Sequence, residues 1–378
     1  MVKHTVFLNR VTIGIIGLIL FFGCVAKKEE GTRKVILDIL ARSLRHENFF
    51  VRSAAAKALG EMGDSTAIPM LIPMLKDPMA FVRLFTAESI AQLPGPDRLK
   101  LLMAAGDDPD PMVRIAVVKA LDELAKDTGT VDALPIEKIL MPFTQDSDAT
   151  VLLFAKAALA KRGNEKMFME IQSAIEIEET LAPAIVALGR TKLARAIPIL
   201  KKTLQNPDST VRMFSAEALG EIADPSAFEM LTALIKDKEM SVRGAAATSL
   251  GKIGDPKAIP IVEGLLGDGE MRVALSAAEG LAHYGKARLD IYGKALQHAD
   301  YGVRHSAIGS LQKIAKKEAM PLFIKALSDH APRVRIAAVR AIGAMSGPEA
   351  IPILQAVLHD PDLSVRAYAA GNLGRWVR

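Results

Sequence analysis

The chain has little cysteine, few aromatic residues and little excess charge. Among 378 residues there is one cysteine and one tryptophan, and Phe, Trp and Tyr together make up 5%. A single cysteine excludes a fold that is stabilised by disulfides within the chain. The net charge is +5, and no run of basic residues marks a track for nucleic acid.

Motifs for enzyme chemistry are also missing from the sequence. It has no glycine-rich phosphate-binding loop and no Ser/His/Asp or Cys-based pattern for nucleophilic catalysis. What the chain does have is Ala and Leu, with Gly and Pro at regular intervals, and half of its residues are apolar. This composition favours short, closely packed helices.

The N-terminal segment predicts export from the cytoplasm. Lys3 and Arg10 precede an apolar run, Val11–Phe22, which is too short to span a membrane comfortably. A charged start followed by a short apolar run is typical of a secretory signal. The run ends at Gly23 and Cys24, the only cysteine.

The position of Cys24 resembles that of the acylated cysteine in bacterial lipoproteins, although Phe21 and Phe22 stand where Leu and a small residue are usual. The resemblance implies cleavage before Cys24, lipidation of its thiol and anchoring to a membrane of the cell envelope. Val25, where Asp would retain the protein at the inner membrane, favours the outer membrane if the cell has one. The alternative is an uncleaved N-terminal anchor. The predicted segments are a signal peptide at 1–23 and a polar tether at 24–33.

The dipeptide Val-Arg recurs at an interval of 31 residues, which indicates a solenoid, because each unit buries its apolar face only against its neighbours. Weaker copies align on a Leu-Gly pair that follows the valine, so that residues 34–378 contain eleven units. Their origins are residues 51, 82, 113, 151, 180, 211, 242, 273, 303, 334 and 365. Leu152, Leu181 and Ala274 replace the arginine, and the stretch at about 126–200 is predicted to be irregular.

Each unit predicts two helices. The sequence Ala67-Ile68-Pro69 and its equivalents indicate the start of the first helix, because Pro is tolerated in the first turn. The second helix runs from the valine to Leu-Gly, and in the first unit Val51, Ala55 and Leu59 share one face. The glycine of Leu-Gly is predicted to end this helix in a left-handed C-cap conformation.

The pattern Asp-x-x-x-x-Val-Arg-x-x-Ala-x-x-Ala-Leu-Gly, followed by Ile-Gly-Asp-x-x-Ala-Ile-Pro-x-Leu, resembles the short HEAT repeats of the phycobilisome-lyase type over about residues 35–378. The resemblance implies an all-α superhelix, or solenoid, of about eleven repeats whose second helices line the concave side. Among related proteins, deoxyhypusine hydroxylases bind two irons through His-Glu pairs, and phycobilin lyases attach a chromophore to cysteine. The one His-Glu pair here, His46-Glu47, lies in a linker. We therefore predict no metal, no cofactor and no catalytic residue.

The repeated arginines, together with an Asp about five residues before seven of the repeat valines, have two interpretations. They form a basic track for a polyanion, or each Arg pairs with the linker Asp of its own or an adjacent unit. The planar guanidinium group suits a carboxylate, which favours pairs that fix the orientation of the repeats. The residues of this predicted structural ladder are Arg52, Arg83, Arg114, Arg212, Arg243, Arg304, Arg335, Arg366, Asp77, Asp108, Asp237, Asp329 and Asp360.

The residues that follow Val-Arg are candidates for partner binding. They lie away from the buried stripe of the second helix, and apolar side chains there would form a groove for a peptide or helix. The alternative is that they fill gaps between Ala-rich helices. The candidates are Leu84, Phe85, Ile115, Leu153, Phe154, Met213, Phe214, His305, Ile336 and Tyr368.

A second stretch, residues 283–305, is rich in histidine and tyrosine. It is either a contact patch for a ligand or peptide, or ordinary variation of a helix surface. Its members are His283, Tyr284, Tyr292, His298, Tyr301 and His305.

We therefore expect a non-enzymatic, lipid-anchored scaffold of the cell envelope that binds a protein partner along its concave face. A nucleic-acid partner is not expected, and the sequence does not indicate an oligomeric state. The alternative is an enzyme or an enzyme accessory related to the phycobilin lyases or to the HEAT-repeat metal-dependent hydroxylases.

Overall fold

The structure, a computed structural model, describes residues 31–124, 136–314, 317–345, 347 and 349–376. This part of the chain contains twenty-two α-helices and no strand. The predicted all-α solenoid of about eleven two-helix repeats is confirmed. Each repeat contributes one helix to an outer layer and one to an inner layer.

The helices alternate between the layers in the order of the chain. The inner helices have even numbers: α2 (Phe49–Met62), α4 (Ala80–Gln92), α6 (Pro111–Leu124), α8 (Ala149–Ala160), α10 (Glu178–Thr191), α12 (Ser209–Ile222), α14 (Met240–Ile253), α16 (Met271–Ala282), α18 (Tyr301–Ile314), α20 (Pro332–Ala344) and α22 (Leu363–Gly374). The outer helices have odd numbers: α1 (31–43), α3 (Ile68–Leu71), α5 (Arg98–Ala105), α7 (Ile136–Leu140), α9 (Glu165–Ala174), α11 (Ile197–Thr203), α13 (Phe228–Leu234), α15 (Ala258–Gly264), α17 (Leu289–Ala295), α19 (Met320–Ala326) and α21 (Ala350–Val357).

The local sequence explains where these helices begin and which face they bury. Val51 is 6% exposed, and Ala55 and Leu59 are fully buried, as the apolar stripe of α2 predicts. Pro69 and Pro198 occupy the second position of α3 and α11, where a missing N–H removes no helical hydrogen bond. The predicted two-helix unit is confirmed.

The structure differs from two of the predicted segments. Residues 31–33, assigned to the tether, belong to α1, and Arg33 bonds the carboxylate of Asp64 at the opposite end of the repeat. Within the stretch predicted to be irregular, α8 and α10 pack in the inner layer like the other even helices. The signal peptide, Cys24 and residues 125–135 lie outside the described residues.

The sequence predicted that the glycine of Leu-Gly caps the inner helix. In the structure this glycine lies inside the helix. At this position the next inner helix approaches so closely that a side chain would collide with it. A Cβ atom on Gly220 would lie 2.3 Å from Ser249 Oγ, and one on Gly251 would lie 2.5 Å from the carbonyl oxygen of Gly280. The left-handed cap comes three residues after the pair, as at Gly254 with φ 79°. Glycine here permits backbone contact between repeats.

The two ends of the solenoid meet. Helix α22 packs against α2 in the same way as consecutive inner helices pack against each other, so the eleven inner helices of the described chain form a closed ring. Consecutive outer helices share few contacts. Since the more closely spaced layer has the smaller circumference, the inner helices line the ring and define its lumen.

The ring is closed around Glu61, which is buried near the end of α2. One carboxylate oxygen accepts a hydrogen bond of 2.5 Å from Arg340 Nε, and the other accepts one of 3.0 Å from Asn372 Nδ2. Arg375 donates to the carbonyl oxygen of Glu61. These bonds join the last two repeats to the first.

Helix packing distances set the size of the lumen. With neighbouring axes about 9 Å apart, eleven helices form a ring about 30 Å across between opposite axes. Subtracting one helix diameter leaves about 20 Å between opposing side-chain walls. An α-helix of another protein fits within that width.

Closure of the ring is testable by substitution at the contact between α22 and α2, which we call the seam. A Cβ atom on Gly371 would lie 2.3 Å from the carbonyl oxygen of Ala58, whereas Gly309, at the equivalent position of α18, has open space around it. We expect Gly371→Leu to separate α22 from α2 and Gly309→Leu to leave the ring closed. Pulsed electron resonance between spin labels at Arg45 and His359 measures the separation. A short, narrow distance distribution in Gly371→Leu would contradict ring closure.

Candidate partner-binding surface

The ladder of arginines and aspartates is an ion-pair network between successive repeats. Arg83 Nε and Nη2 lie 2.7 and 2.8 Å from the carboxylate oxygens of Asp108 in the next repeat. The third nitrogen, Nη1, donates to the backbone carbonyl of Asp77 at 2.9 Å. The same bidentate geometry recurs in the pairs Arg52–Asp77, Arg114–Asp146, Arg212–Asp237, Arg243–Asp268, Arg304–Asp329 and Arg335–Asp360.

These contacts use the guanidinium groups of seven arginines, which are therefore not free to form a basic track. The hydrogen bonds from Arg114 hold the pKa of Asp146 below its usual range, and Arg304 has the same effect on Asp329. Because the folded pKa is lowered, this stabilisation is present above about pH 4 and is lost as the pH falls through the folded value. Of the two interpretations of the ladder, pairing with the adjacent repeat is the one observed.

Arg366 is the exception, and its assignment to the ladder was wrong. It has no ion-pair partner among the residues that the structure describes. The next repeat around the ring is the first, where His46 occupies the position of the linker aspartate. Its Nδ1 accepts a hydrogen bond of 3.0 Å from the Asn48 N–H, just as Asp77 accepts one of 2.9 Å from Met79. The histidine keeps the turn but not the ion pair.

The three repeats that lack the arginine also lack its partner. Leu152, Leu181 and Ala274 face linker positions occupied by Ile175, Asn206 and His298, respectively. His298 Nδ1 accepts from the Asp300 N–H at 3.1 Å, so it also replaces only the turn-forming role of aspartate. Together with the seam, four of the eleven inner-helix interfaces in the described ring are without a ladder pair.

The structure divides the residues predicted to bind a partner into two groups. Ile115, Leu153, Phe154 and Tyr368 are at most 9% exposed, so they fill space between helices as the alternative interpretation held, and their assignment to an open groove was wrong. The others remain accessible. Leu84, Phe85, Met213, Phe214 and Ile336 are half-buried, and His305 is exposed.

The accessible residues Met213 and Phe214 line a cavity of about 650 Å³ on the lumen side of α10, α12, α14, α16 and α18, which we call the lumenal cavity. Its floor is formed where α14 has only small side chains, Gly244 and Ala245, at the positions of Met213 and Phe214 in α12. Thr248 continues the same face of α14. The cavity therefore arises from missing bulk in one repeat.

The charged side chains around the lumenal cavity are mostly paired. Lys252 lies 2.7 Å from Glu221, and Glu279 accepts bonds from Lys313 at 3.0 Å and Ser310 at 2.7 Å. The remaining two cations, Arg190 and Arg272, lie 3.7 Å from Asp122 and 2.7 Å from Asp300, respectively. Glu217 is the one charged residue of the cavity for which the described part of the chain offers no hydrogen-bond or ion-pair partner.

Two further features of the inner helices were missed by sequence reasoning. Asp122 stands at the position of the Leu-Gly glycine, and this buried carboxylate accepts a hydrogen bond of 2.7 Å from Arg162. Nearby, Lys119 and Arg190 lie over the ring of Phe154 at 5.3 and 4.9 Å. The sequence did contain a signal for Asp122, which is an acidic residue at a position where most repeats have a small one.

An aromatic cluster occupies the rim at the start of α2 and α4. Phe50 and Phe81 are 47% and 39% exposed, and their ring centroids are 5.9 Å apart in an edge-to-face arrangement. Phe81 contacts Phe85 at 4.7 Å, and Lys57 lies 4.5 Å above the Phe85 ring. Of the three phenylalanines the sequence prediction included only Phe85, because Phe50 and Phe81 precede the repeated valine.

The stretch rich in histidine and tyrosine does not form a common patch. Tyr292 is fully buried, which raises the pKa of its hydroxyl. The Tyr284 hydroxyl lies 2.8 Å from the carbonyl oxygen of Leu250, and Tyr301 is 48% exposed. Among the described residues there is no group of three or more His, Cys, Asp or Glu side chains placed to hold a metal ion. Within the same ranges, every helix is too short or too polar to cross a membrane.

The chain belongs to the HEAT-repeat family. The family model for HEAT repeats matches residues 29–84, 201–282 and 290–374, which is more than half of the chain, and a single HEAT repeat matches residues 99–128. The resemblance to HEAT repeats that the sequence motif indicated is confirmed, and the chain is also similar to a phycocyanin operon protein.

Three individual proteins that are similar to this chain share 28%, 20% and 19% sequence identity with it. An uncharacterised phycocyanin operon protein Z from Pseudanabaena tenuis is 28% identical over 152 residues, which is 38% of this chain and 71% of that protein. Among solved structures, the CpcE–CpcF complex of phycocyanin lyase from Nostoc is 20% identical, with a TM-score of 0.42, over 64% of this chain and 98% of that one. Human deoxyhypusine hydroxylase is 19% identical, with a TM-score of 0.33, over 82% and 96% of the two chains.

Adding an Arg–Asp pair to an interface that lacks one should stabilise the contact between its two repeats. We expect Ala274→Arg together with His298→Asp to rebuild the pair between α16 and α18 and to raise the free energy of unfolding. In a double-mutant cycle the two changes should show a favourable coupling of about 1 kcal/mol. Denaturant unfolding of the parent, the two single variants and the double variant measures it. Additive effects would mean that the ladder does not stabilise the interface.

Proposed function

We propose that the chain is a non-enzymatic scaffold that binds a segment of a partner protein on the inner wall of its ring. The lumenal cavity is the observation that carries the proposal. It combines the accessible apolar side chains of Met213 and Phe214 with charged groups that are already oriented by ion pairs, which is the composition of a protein-binding surface. Membership of the HEAT-repeat family supports the same function.

We further propose that residues 1–23 are a cleaved signal and that acylated Cys24 tethers the ring to a membrane of the cell envelope. The support is the order of charged residues, apolar run, glycine and cysteine in the sequence. Each buried methylene of an acyl chain contributes about 0.8 kcal/mol to membrane binding, so two or more chains give stable anchoring.

A second candidate function is that of an enzyme accessory related to the phycobilin lyases. The identity of 28% with a phycocyanin operon protein favours it. In that case the inner wall receives a protein that carries a chromophore, and visible absorbance accompanies the protein captured by the ring. The scaffold and the accessory thus share a surface and differ in the partner.

Substitution of lumen residues tests the scaffold proposal. We expect Phe85→Ala with Phe214→Ala to abolish capture of the partner from detergent-solubilised membranes, because both side chains face the lumen. The matched control is Ile72→Ala with Met103→Ala, which removes two exposed apolar side chains of the outer layer. Quantitative mass spectrometry compares the captured proteins. Equal capture by the lumen variant and the parent would refute binding at the inner wall.

Lipidation is tested separately from binding. In a bacterial host fed an alkyne fatty acid, we expect the parent chain to be labelled and Cys24→Ser to be unlabelled and released from the membrane fraction. An uncleaved anchor predicts instead that Cys24→Ser stays with the membranes. Mass spectrometry of the mature N-terminus identifies the cleavage site.

A further inference from the structure

One carboxylate of the lumenal cavity has no ion-pair partner among the described residues. Each of its four cations, Arg190, Lys252, Arg272 and Lys313, has a carboxylate within ion-pair distance. Two of the three cavity carboxylates, Glu221 and Glu279, take part in these pairs. Among the described residues, Glu217 is therefore the cavity carboxylate that is free to pair with a cation from outside the chain.

The surroundings of Glu217 disfavour its ionised form. Desolvation against the cavity wall raises the pKa of its carboxyl, and the neighbouring Glu221 raises it further, while Lys252 acts in the opposite direction. Glu217 is exposed to the lumen, so a cation of a partner can reach its carboxylate. A charge-assisted hydrogen bond to a carboxylate is stronger than one between neutral groups.

The apolar neighbours restrict what kind of cation fits. Met213 and Phe214 stand beside Glu217 on α12, and Met240, which is 42% exposed, adds a third apolar side chain to the same cavity. A metal ion prefers several oxygen ligands, and the other two cavity carboxylates, Glu221 and Glu279, are already paired with lysines. Glu217 suits an organic cation on an aliphatic stem, because the stem contacts Met and Phe while the charged end meets the carboxylate.

We propose that the lumenal cavity binds an arginine or lysine side chain of the partner segment, with its cationic end on Glu217 and its stem against Met213, Phe214 and Met240. The small side chains of α14 provide the space, since Gly244, Ala245 and Thr248 leave the floor open. This inference rests on the proposed function, because it specifies the chemistry of a segment bound at the inner wall.

The test uses the full chain and two fluorescein-labelled helical peptides of alanine and glutamine, each with two leucines flanking one central residue. That residue is arginine in one peptide and its neutral isostere citrulline in the other. By fluorescence anisotropy we expect the arginine peptide to bind the parent about tenfold more tightly, as one charge-assisted hydrogen bond predicts.

Three variants identify the site. Glu217→Gln should remove the preference for arginine, whereas Glu229→Gln, which neutralises an exposed glutamate on α13, the outer helix of the next repeat, should retain it. Thr248→Lys places a tethered cation in the cavity and should weaken binding of the arginine peptide to the level of citrulline. Circular dichroism confirms that each variant is folded.

Equal affinity of the two peptides for the parent, or no binding of either, would overturn the proposed subsite. So would a preference that survives Glu217→Gln. Those outcomes leave the capture experiment with Phe85→Ala and Phe214→Ala unaffected, because it does not depend on Glu217. Failure of the subsite and failure of the scaffold function are therefore distinguishable.

Discussion

The close approach of consecutive inner helices is the contact on which the rest of the structure depends. Where the approach is closest it requires glycine in one helix and a small residue in the next, as at Gly60 against Ser89 and Gly251 against Gly280, where a Cβ atom would lie 2.5 to 2.6 Å from its neighbour. The outer helices lack contacts of this closeness. Each repeat is therefore rotated relative to the one before it, and eleven such rotations bring the last inner helix back to the first.

Packing and electrostatics have separate roles in this ring. Small residues allow the closest approaches between inner helices, and the Arg–Asp pairs connect one repeat to the next. Where the pair is missing, other bonds cross the interface, as Glu279 of α16 accepts from Ser310 and Lys313 of α18. Histidine at positions 46 and 298 preserves the turn. At the seam a different set of groups around Glu61 replaces the ladder.

The sequence was a good guide to everything that repeats locally. The number of units, the two helices of each and the pairing of Arg with Asp all follow from residues within about one period of each other. Closure was not predictable in this way, because it is the sum of eleven small rotations and has no local signal. The lumenal cavity was missed for a similar reason. It depends on comparing Gly244 and Ala245 with Met213 and Phe214 in the adjacent repeat, and the exposure of Leu153 or Tyr368 depends on the size of their neighbours.

Contact between α22 and α2 also limits how this protein can evolve. An open solenoid gains or loses a repeat by duplication or deletion at little cost, because only the length changes. In a closed ring one unit more or fewer alters the angle required at every interface, and the partners of Glu61 no longer meet it. Variation is then confined to the loops and to the side chains that face the lumen, while the number of repeats stays at eleven.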